Sequence, residues 1–199
     1  MVEQQIIDFS LIIPCYNEGE MLERNVREIY ELLSLTKLNY EIIFIDDKSK
    51  DNTLTIIQRI IENSPNIRLL WHKRNMGRGK SVSDGIKTAR GKVVGFIDID
   101  LEVSCAYIPY FVTMVNKGFD VAVGRRIYKF SMRSIDRWLA SKGYNWLVRK
   151  LLKVSLRDTE AGYKFFNREK ILPILERIKE PHWFWDTEVM VESYYQGLK

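Results

Sequence analysis

Five short apolar runs punctuate the chain: Phe9 to Ile13, Tyr40 to Ile45, Ile67 to Trp71, Val93 to Ile97 and Asp120 to Gly124. Runs of this length predict strands, with Phe9 to Ile13 apolar on both faces as a central parallel strand is and Val93 to Ile97 buried. Pro14 is expected to end the first strand. Between the runs the apolar residues recur at helical spacing. Leu22, Val26, Ile29, Tyr30 and Leu33 form one such stripe, and Leu54, Ile57, Ile60 and Ile61 a second. Val82, Ile86 and Ala89 form a third, and Tyr107 to Lys117 reads as a fourth helix. Ser49 or Asp51 suits the N-cap of the second helix. Strands and helices alternate throughout, which predicts a parallel sheet with helices on both faces.

The pattern changes after Gly124. Residues Arg125 to Ser134 are basic and irregular. From Ile135 to Leu152, helical spacing at Ile135, Leu139, Tyr144, Leu147, Val148, Leu151 and Leu152 is interleaved with Arg137, Lys142, Arg149, Lys150 and Lys153. A basic amphipathic helix can lie on a membrane surface or pack on its own sheet. Asp158 to Phe166 runs from polar to aromatic. Ile171 to Ile178 reads as a short helix, and His182 to Glu188 precedes a last helix carrying Val189, Met190, Tyr194 and Tyr195.

Composition adds bounds. A length of 199 residues implies one domain, and a hydrophobic share of 46% is enough for a core. The net charge of +5 suits a polyanionic ligand or an anionic surface. The basic residues are spread out, with no dense run of the kind seen in nucleic-acid tails, so no nucleic acid partner is expected. Cys15 and Cys105 form no C-x-x-C pair and no disulfide framework, which fits a reducing compartment. The N-terminus lacks a basic, apolar leader, and no apolar stretch approaches about 18 residues.

The candidate chemistry sits where strands end. In open α/β sheets, ligands bind at the carboxyl ends of the strands. Here those ends supply Pro14, Tyr16, Asn17 and Glu18; Asp46 and Asp47; Asn75, Gly77, Gly79 and Lys80; and Asp98, Asp100 and Glu102. Continued strand geometry would turn Asp98, Asp100 and Glu102 to one side. Converging carboxylates suit a hard cation, Mg²⁺ or Mn²⁺. The alternative is a solvated acidic turn. The N-x-G-x-G-K loop matches neither a Walker A nor a dinucleotide fingerprint. Lys80 at a helix start would nonetheless favour an anion.

In LIIPCYNEGE, IDDKSKDNT, NMGRGKSVSDGI, the D-x-D of Asp98 to Asp100, and DTEAGYKFF, the chain resembles family 2 glycosyltransferases of the GT-A fold. Within that family it resembles the polyprenyl-phosphate (dolichyl-phosphate) mannosyl- and glucosyltransferases. The resemblance covers nearly the whole chain. It implies an α/β, Rossmann-like GT-A catalytic domain over residues 1–199, with a central, mostly parallel sheet flanked by helices. It also implies a further strand and a membrane segment beyond Lys199.

By resemblance, Pro14, Tyr16, Glu18, Asp47, Lys80 and Asp98 border the nucleotide, with Asp47 at the base. Asp98, Asp100 and Glu102 would hold Mg²⁺ or Mn²⁺ on the diphosphate. Glu102 stands where the branch commonly has Gln. Asp100, Arg126, Arg137 and Asp158 are the catalytic candidates, the two arginines facing the acceptor phosphate. The stretch between Arg126 and Arg137 is shorter than the family form and lacks its glycines. Asp158 is the base if the acceptor is a hydroxyl; otherwise it positions the sugar or an arginine. Asp186 and Glu188 are similar to a family F-D-x-E element with a structural role. His72 reads as a strand-end polar residue. The aromatics Trp183 to Trp185 either line the sugar or lipid path or cap the core.

The implied reaction is inverting transfer of mannose or glucose from GDP-mannose or UDP-glucose to a polyprenyl phosphate. It would take place at the cytoplasmic face of a membrane. A sugar-hydroxyl acceptor is the alternative, and a nucleotide-sugar-binding protein without catalysis is a third reading.

Overall fold

The structure is a computed structural model, and it describes residues 6–62, 64–124, 143–144, 146–156 and 158–199. Its elements are β1 (Phe9–Cys15), α1 (Leu22–Ser34), β2 (Tyr40–Asp46), α2 (Thr53–Glu62), β3 (Ile67–Trp71), α3 (Arg78–Thr88) and β4 (Val93–Ile97). A 3₁₀ turn (Cys105–Tyr107), α4 (Ile108–Asn116) and β5 (Val121–Val123) follow. Helical residues 146–151 (α5), β6 (Tyr163–Asn167), α6 (Arg168–Leu175) and α7 (Trp185–Tyr195) complete the described chain.

One six-stranded sheet has the order β3-β2-β1-β4-β6-β5. The four strands β1 to β4 pair in parallel, as the alternation predicts. β6 enters antiparallel between β4 and β5. The sheet is therefore mixed, and β5 does not touch β4. The strand Tyr163–Asn167 lies outside the regular strand–helix rhythm, within the polar-to-aromatic stretch that begins at Asp158.

Alternate residues point to opposite faces of a strand, and two cores result. Leu11, Ile13, Ile42, Phe44, Ile97, Tyr163 and Phe165 pack under α1, α2 and α4. Ile12, Ile43, Ile45, Val94, Phe96 and Phe166 pack under α3, α6 and α7, around a fully buried Trp185.

Local boundaries differ from expectation at several places. α6 runs Arg168–Leu175 rather than Ile171 to Ile178, because the Asn167 side chain caps it by accepting the Lys170 N–H. β1 runs through Pro14, which lies opposite Ile45 in the parallel register. The fourth helix begins as a 3₁₀ turn, with Pro109 in the first turn of α4. α7 starts at Trp185, inside the segment read as preceding it. The basic stretch Arg125 to Ser134 and the first half of the helix read from Ile135 to Leu152 lie outside the described residues. Among those described, no helix is long and apolar enough to cross a membrane.

Candidate active site

The loops after β1 and β2 are sewn together by backbone-to-side-chain hydrogen bonds. Asn17, in the left-handed region at φ 59°, donates its N–H to Ser49 Oγ (3.0 Å), and its Oδ1 accepts from the Lys50 N–H (2.7 Å). The Glu18 and Gly19 amides donate to Thr53 Oγ1 (2.8 Å) and Asp51 Oδ2 (3.0 Å). Asp51, one residue before Asn52, also accepts the Thr53 amide through its Oδ1. The Asn52 carbonyl takes the first helical bond of α2 from the Ile56 amide, and Ser49 serves the neighbouring loop. Pro14 is buried, whereas Tyr16 is 40% exposed at the mouth of these loops.

Asp47 organises the loop before α3. It is 3% exposed, and its carboxylate accepts the amides of Met76 (2.7 Å) and Gly77 (2.8 Å). His72 Nδ1 lies 2.6 Å from Asp47 Oδ1, and His72 Nε2 lies 3.1 Å from Asp84 Oδ2. The strand-end polar residue is thus a bridge between two carboxylates. Both Asp47 oxygens thus have partners within the protein, and the carboxylate ties the ends of β2 and β3 to the loop before α3. Lys80 pairs with Asp84 one turn along α3, and its backbone N–H donates to Pro181 O (2.8 Å).

The D-x-D residues sit at the end of β4, but not as strand alternation predicts. The strand stops at Ile97 and the chain turns. Ile99 is buried, and Leu101 takes φ 53°. Asp98 is partly buried, while Asp100 and Glu102 are exposed. Asp100 Oδ1 accepts the Glu102 amide (3.1 Å). The three carboxylates do not converge: among the described residues, no group of three His, Cys, Asp or Glu side chains is arranged to hold a metal. The charge environment nonetheless suits a cation. Burial, then the charges of Asp100 and Asp98, raise the Glu18 carboxyl above its ordinary range. Burial is also the main cause of the upward shift at Asp98, with Asp186 and Asp100 adding to it against Arg78. Two oxygen donors at Asp98 and Asp100 beside Glu18 fit Mg²⁺ or Mn²⁺, which usually take one or two carboxylates plus phosphate oxygens. Glu102 has no observed place in that set.

Arg78 and Lys164 were not singled out in the sequence, yet they complete the site. Arg78 Nε and Nη2 both approach Asp98 Oδ1 (2.8 and 2.7 Å), and its Nη1 donates to Asp186 Oδ2 (2.6 Å). The guanidinium also lies over the rings of Phe96 and Trp183, at 5.2 and 5.4 Å from their centroids. Burial opposes its charge, but Asp186 and Asp98 outweigh that and raise its pKa. Lys164, fully buried on β6, pairs with Asp186 Oδ1 and donates to Ala161 O (2.5 Å). Asp158, at the start of DTEAGYKFF, is near enough for its charge to act on Lys164, and its Oδ1 accepts the Glu160 amide (3.1 Å). The buried Thr159 meets Thr187 Oγ1 (2.9 Å), which also meets the Tyr144 hydroxyl (2.6 Å). The signal for Arg78 was present as a basic residue between two glycines. The signal for Lys164 was a lone cation inside an aromatic run. Arg126 and Arg137 lie outside the described residues.

The family model for glycosyl transferase family 2 matches residues 10–174. The chain belongs to that family. Among curated relatives, it is 31% identical over 198 residues to glycosyltransferase AglD of Haloferax volcanii, covering 97% of this chain and 32% of that protein. It is 30% identical over 200 residues to a dolichyl-phosphate beta-glucosyltransferase of Dictyostelium discoideum, covering 92% of this chain and 61% of the relative. The family 2 domain here therefore spans between a third and three fifths of the length of these relatives. In fold it is similar to glucosyl-3-phosphoglycerate synthase of Mycobacterium tuberculosis, solved with Mn²⁺, UDP and glucosyl-3-phosphoglycerate. The TM-score is 0.69 at 18% identity, covering 96% of this chain and 66% of that one. The GT-A fold expected from the motifs is thus the fold observed.

Proposed function

We propose that this domain is an inverting, metal-dependent glycosyltransferase. It moves a hexose, glucose or mannose, from a nucleoside-diphosphate donor to a polyprenyl or dolichyl phosphate at the cytoplasmic face of a membrane. The observation that carries the reading is the placement of Asp98 and Asp100 at the end of β4 in a family 2 chain, near enough to Glu18 for their charges to raise its carboxyl. Relatives named for dolichyl-phosphate glucosyl transfer favour the lipid-phosphate acceptor.

The loops after β1 and β2 would border the nucleotide, with Tyr16 exposed to stack on the base and Asp47 fixing the third loop beneath it. Asp98 and Asp100 would hold a divalent cation on the diphosphate. When bound, the cation offsets charge that accumulates on the leaving diphosphate. Glu18 adds negative field that favours that cation over an empty site. A phosphate monoester is already nucleophilic near neutrality, its second pKa being about 6. It therefore needs orientation rather than a base. Arg126 and Arg137 are proposed for that task, since guanidinium forks bind phosphate oxygens in pairs. Asp158 would position the sugar through the buried block that follows it. Attack opposite the leaving group gives a β-linked product from an α-linked donor.

α5 presents Trp146, Leu147 and Leu151 to solvent at 52%, 46% and 71% exposure, and Lys150 Nζ sits 4.7 Å from the Trp146 ring centre. Apolar and cationic groups on one short helix suit an anionic membrane surface.

The test is product formation. The protein is incubated with Mn²⁺, labelled UDP-glucose or GDP-mannose, and either polyprenyl phosphate or a free-sugar acceptor. Label entering the lipid fraction only with polyprenyl phosphate supports the reading. Label on the sugar acceptor alone supports the hydroxyl-acceptor alternative, with Asp158 as base.

A further inference from the structure

Among the described residues, the Asp98 carboxylate is gripped from one side. Arg78 Nε and Nη2 both go to Oδ1. Oδ2 lies over Gly162, where a Cβ would stand only 2.0 Å from it and 3.0 Å from Arg78 Nη2. Arg78 is itself fixed by Asp186, whose side chain is 4% exposed, and Asp186 is fixed by the fully buried Lys164. Phe96 and Trp183 close over the guanidinium. The chain Lys164–Asp186–Arg78–Asp98 alternates in sign and is neutral as a whole. It runs from β6, inside the DTEAGYKFF block, to the D-x-D. Nothing in a merely structural tie between α3 and α7 requires Arg78 to reach Asp98 with two donors on one oxygen.

We propose that Arg78 is a positioning residue for the donor's cation. It holds Asp98 by Oδ1 so that Oδ2 is the oxygen offered to the metal, and Asp186 and Lys164 hold Arg78 in turn. The inference rests on the donor-site reading above. Partners that orient a ligating carboxylate typically account for roughly 10- to 100-fold in metal affinity. Gly162 belongs to the same device, because any side chain there would push Oδ2 from its place. A lysine at position 78 would keep the charge but lose the planar fork, so it could not hold Asp98 and Asp186 together.

The experiment measures Mn²⁺ binding by the electron paramagnetic resonance of free Mn²⁺, in the presence of UDP and, separately, GDP. Wild type is expected to bind Mn²⁺ with one of them. Arg78→Lys is expected to lose roughly 10- to 100-fold in Mn²⁺ affinity, while it still unfolds cooperatively in the absence of metal and nucleotide. Gly162→Ala should show the same selective loss. A folded Arg78→Lys or Gly162→Ala protein that binds Mn²⁺ as wild type does would overturn the proposal and leave the donor-site reading standing. Wild type that binds no Mn²⁺ with either nucleotide would sink the donor-site reading itself. A measurement on the unaltered protein covers variants that do not fold. On adding Mg²⁺ and the nucleotide, the Arg78 Nε–H resonance should stay at its hydrogen-bonded position. Its release on Mg²⁺ binding would mean that Arg78 competes with the metal rather than positioning for it, and would overturn the proposal.

Discussion

The amide of Gly77 donates to Asp47 Oδ2 at 2.8 Å, and this bond fixes how the third loop meets the second. Gly77 stands at φ 96°, ψ 152°, a conformation essentially reserved for glycine. A Cβ there would lie 2.4 Å from His182 Nδ1 and 2.5 Å from Pro181 O. Gly77→Ala should cost about 1–3 kcal/mol in urea unfolding. It should also weaken nucleotide binding, because the loop must lift from both Asp47 and the His182 turn.

Lys164 and Asp186 should behave as a coupled pair. Removing one partner of a buried ion pair typically costs about 3–5 kcal/mol, because the other charge is left without compensation. Lys164→Met and Asp186→Asn are each expected in that range. The double variant should cost less than their sum by at least about 1 kcal/mol. Chemical denaturation of the four proteins of the cycle measures the coupling. Strict additivity would mean that the two charges act independently.

The strand–helix alternation was legible because parallel strands buried on both faces are nearly continuous apolar runs, as β1, β2 and β4 are, and the edge strand β3 is still mostly apolar. β6 was not legible. It carries Lys164 as its second residue, buried there with Asp186, 22 residues on, as its counter-charge. At the site, the residue types of the strand ends were legible but their directions were not. Alternation predicts that Asp98, Asp100 and Glu102 share a side, whereas the turn through Ile99 and Leu101 breaks it. That Asp47 also holds the third loop was not legible, because nothing local in the sequence announces that Met76 and Gly77 will donate to it.

The raised Glu18 carboxyl has a consequence for stability in the metal-free protein. An acid whose folded pKa is raised binds more protons folded than unfolded, so its ionisation opposes folding as pH rises. That penalty is absent on the acid side of the ordinary carboxylate range and is fully present above the raised value. Glu18→Gln should therefore raise the melting temperature at neutral pH, by roughly 1–3 °C given the partial exposure of Glu18. The gain should vanish at acid pH. Melting curves of both proteins across pH measure it, and a gain independent of pH would point to packing instead of charge.

Exposed Trp146, Leu147 and Leu151 should contribute to membrane contact. Trp146→Ser with Leu151→Ser is expected to reduce co-sedimentation with vesicles rich in anionic lipid several-fold, with the folded melting transition kept. Equal co-sedimentation would place membrane contact, if any, elsewhere on the chain.

Asp100 is the exposed carboxylate of the D-x-D, so Asp100→Asn should fold normally while losing the cation. The most direct test of the account is thermal unfolding with UDP, GDP, ADP or CMP, each with and without Mn²⁺. A ligand at about 100 times its Kd adds about 2.7 kcal/mol of stability, which is readily seen as a higher midpoint. The account expects one nucleoside diphosphate to raise the midpoint only with Mn²⁺, and Asp100→Asn to abolish the rise. No shift with any nucleotide, or an Mn²⁺-dependent shift that survives in Asp100→Asn, would contradict a cation-bridged donor site at the end of β4.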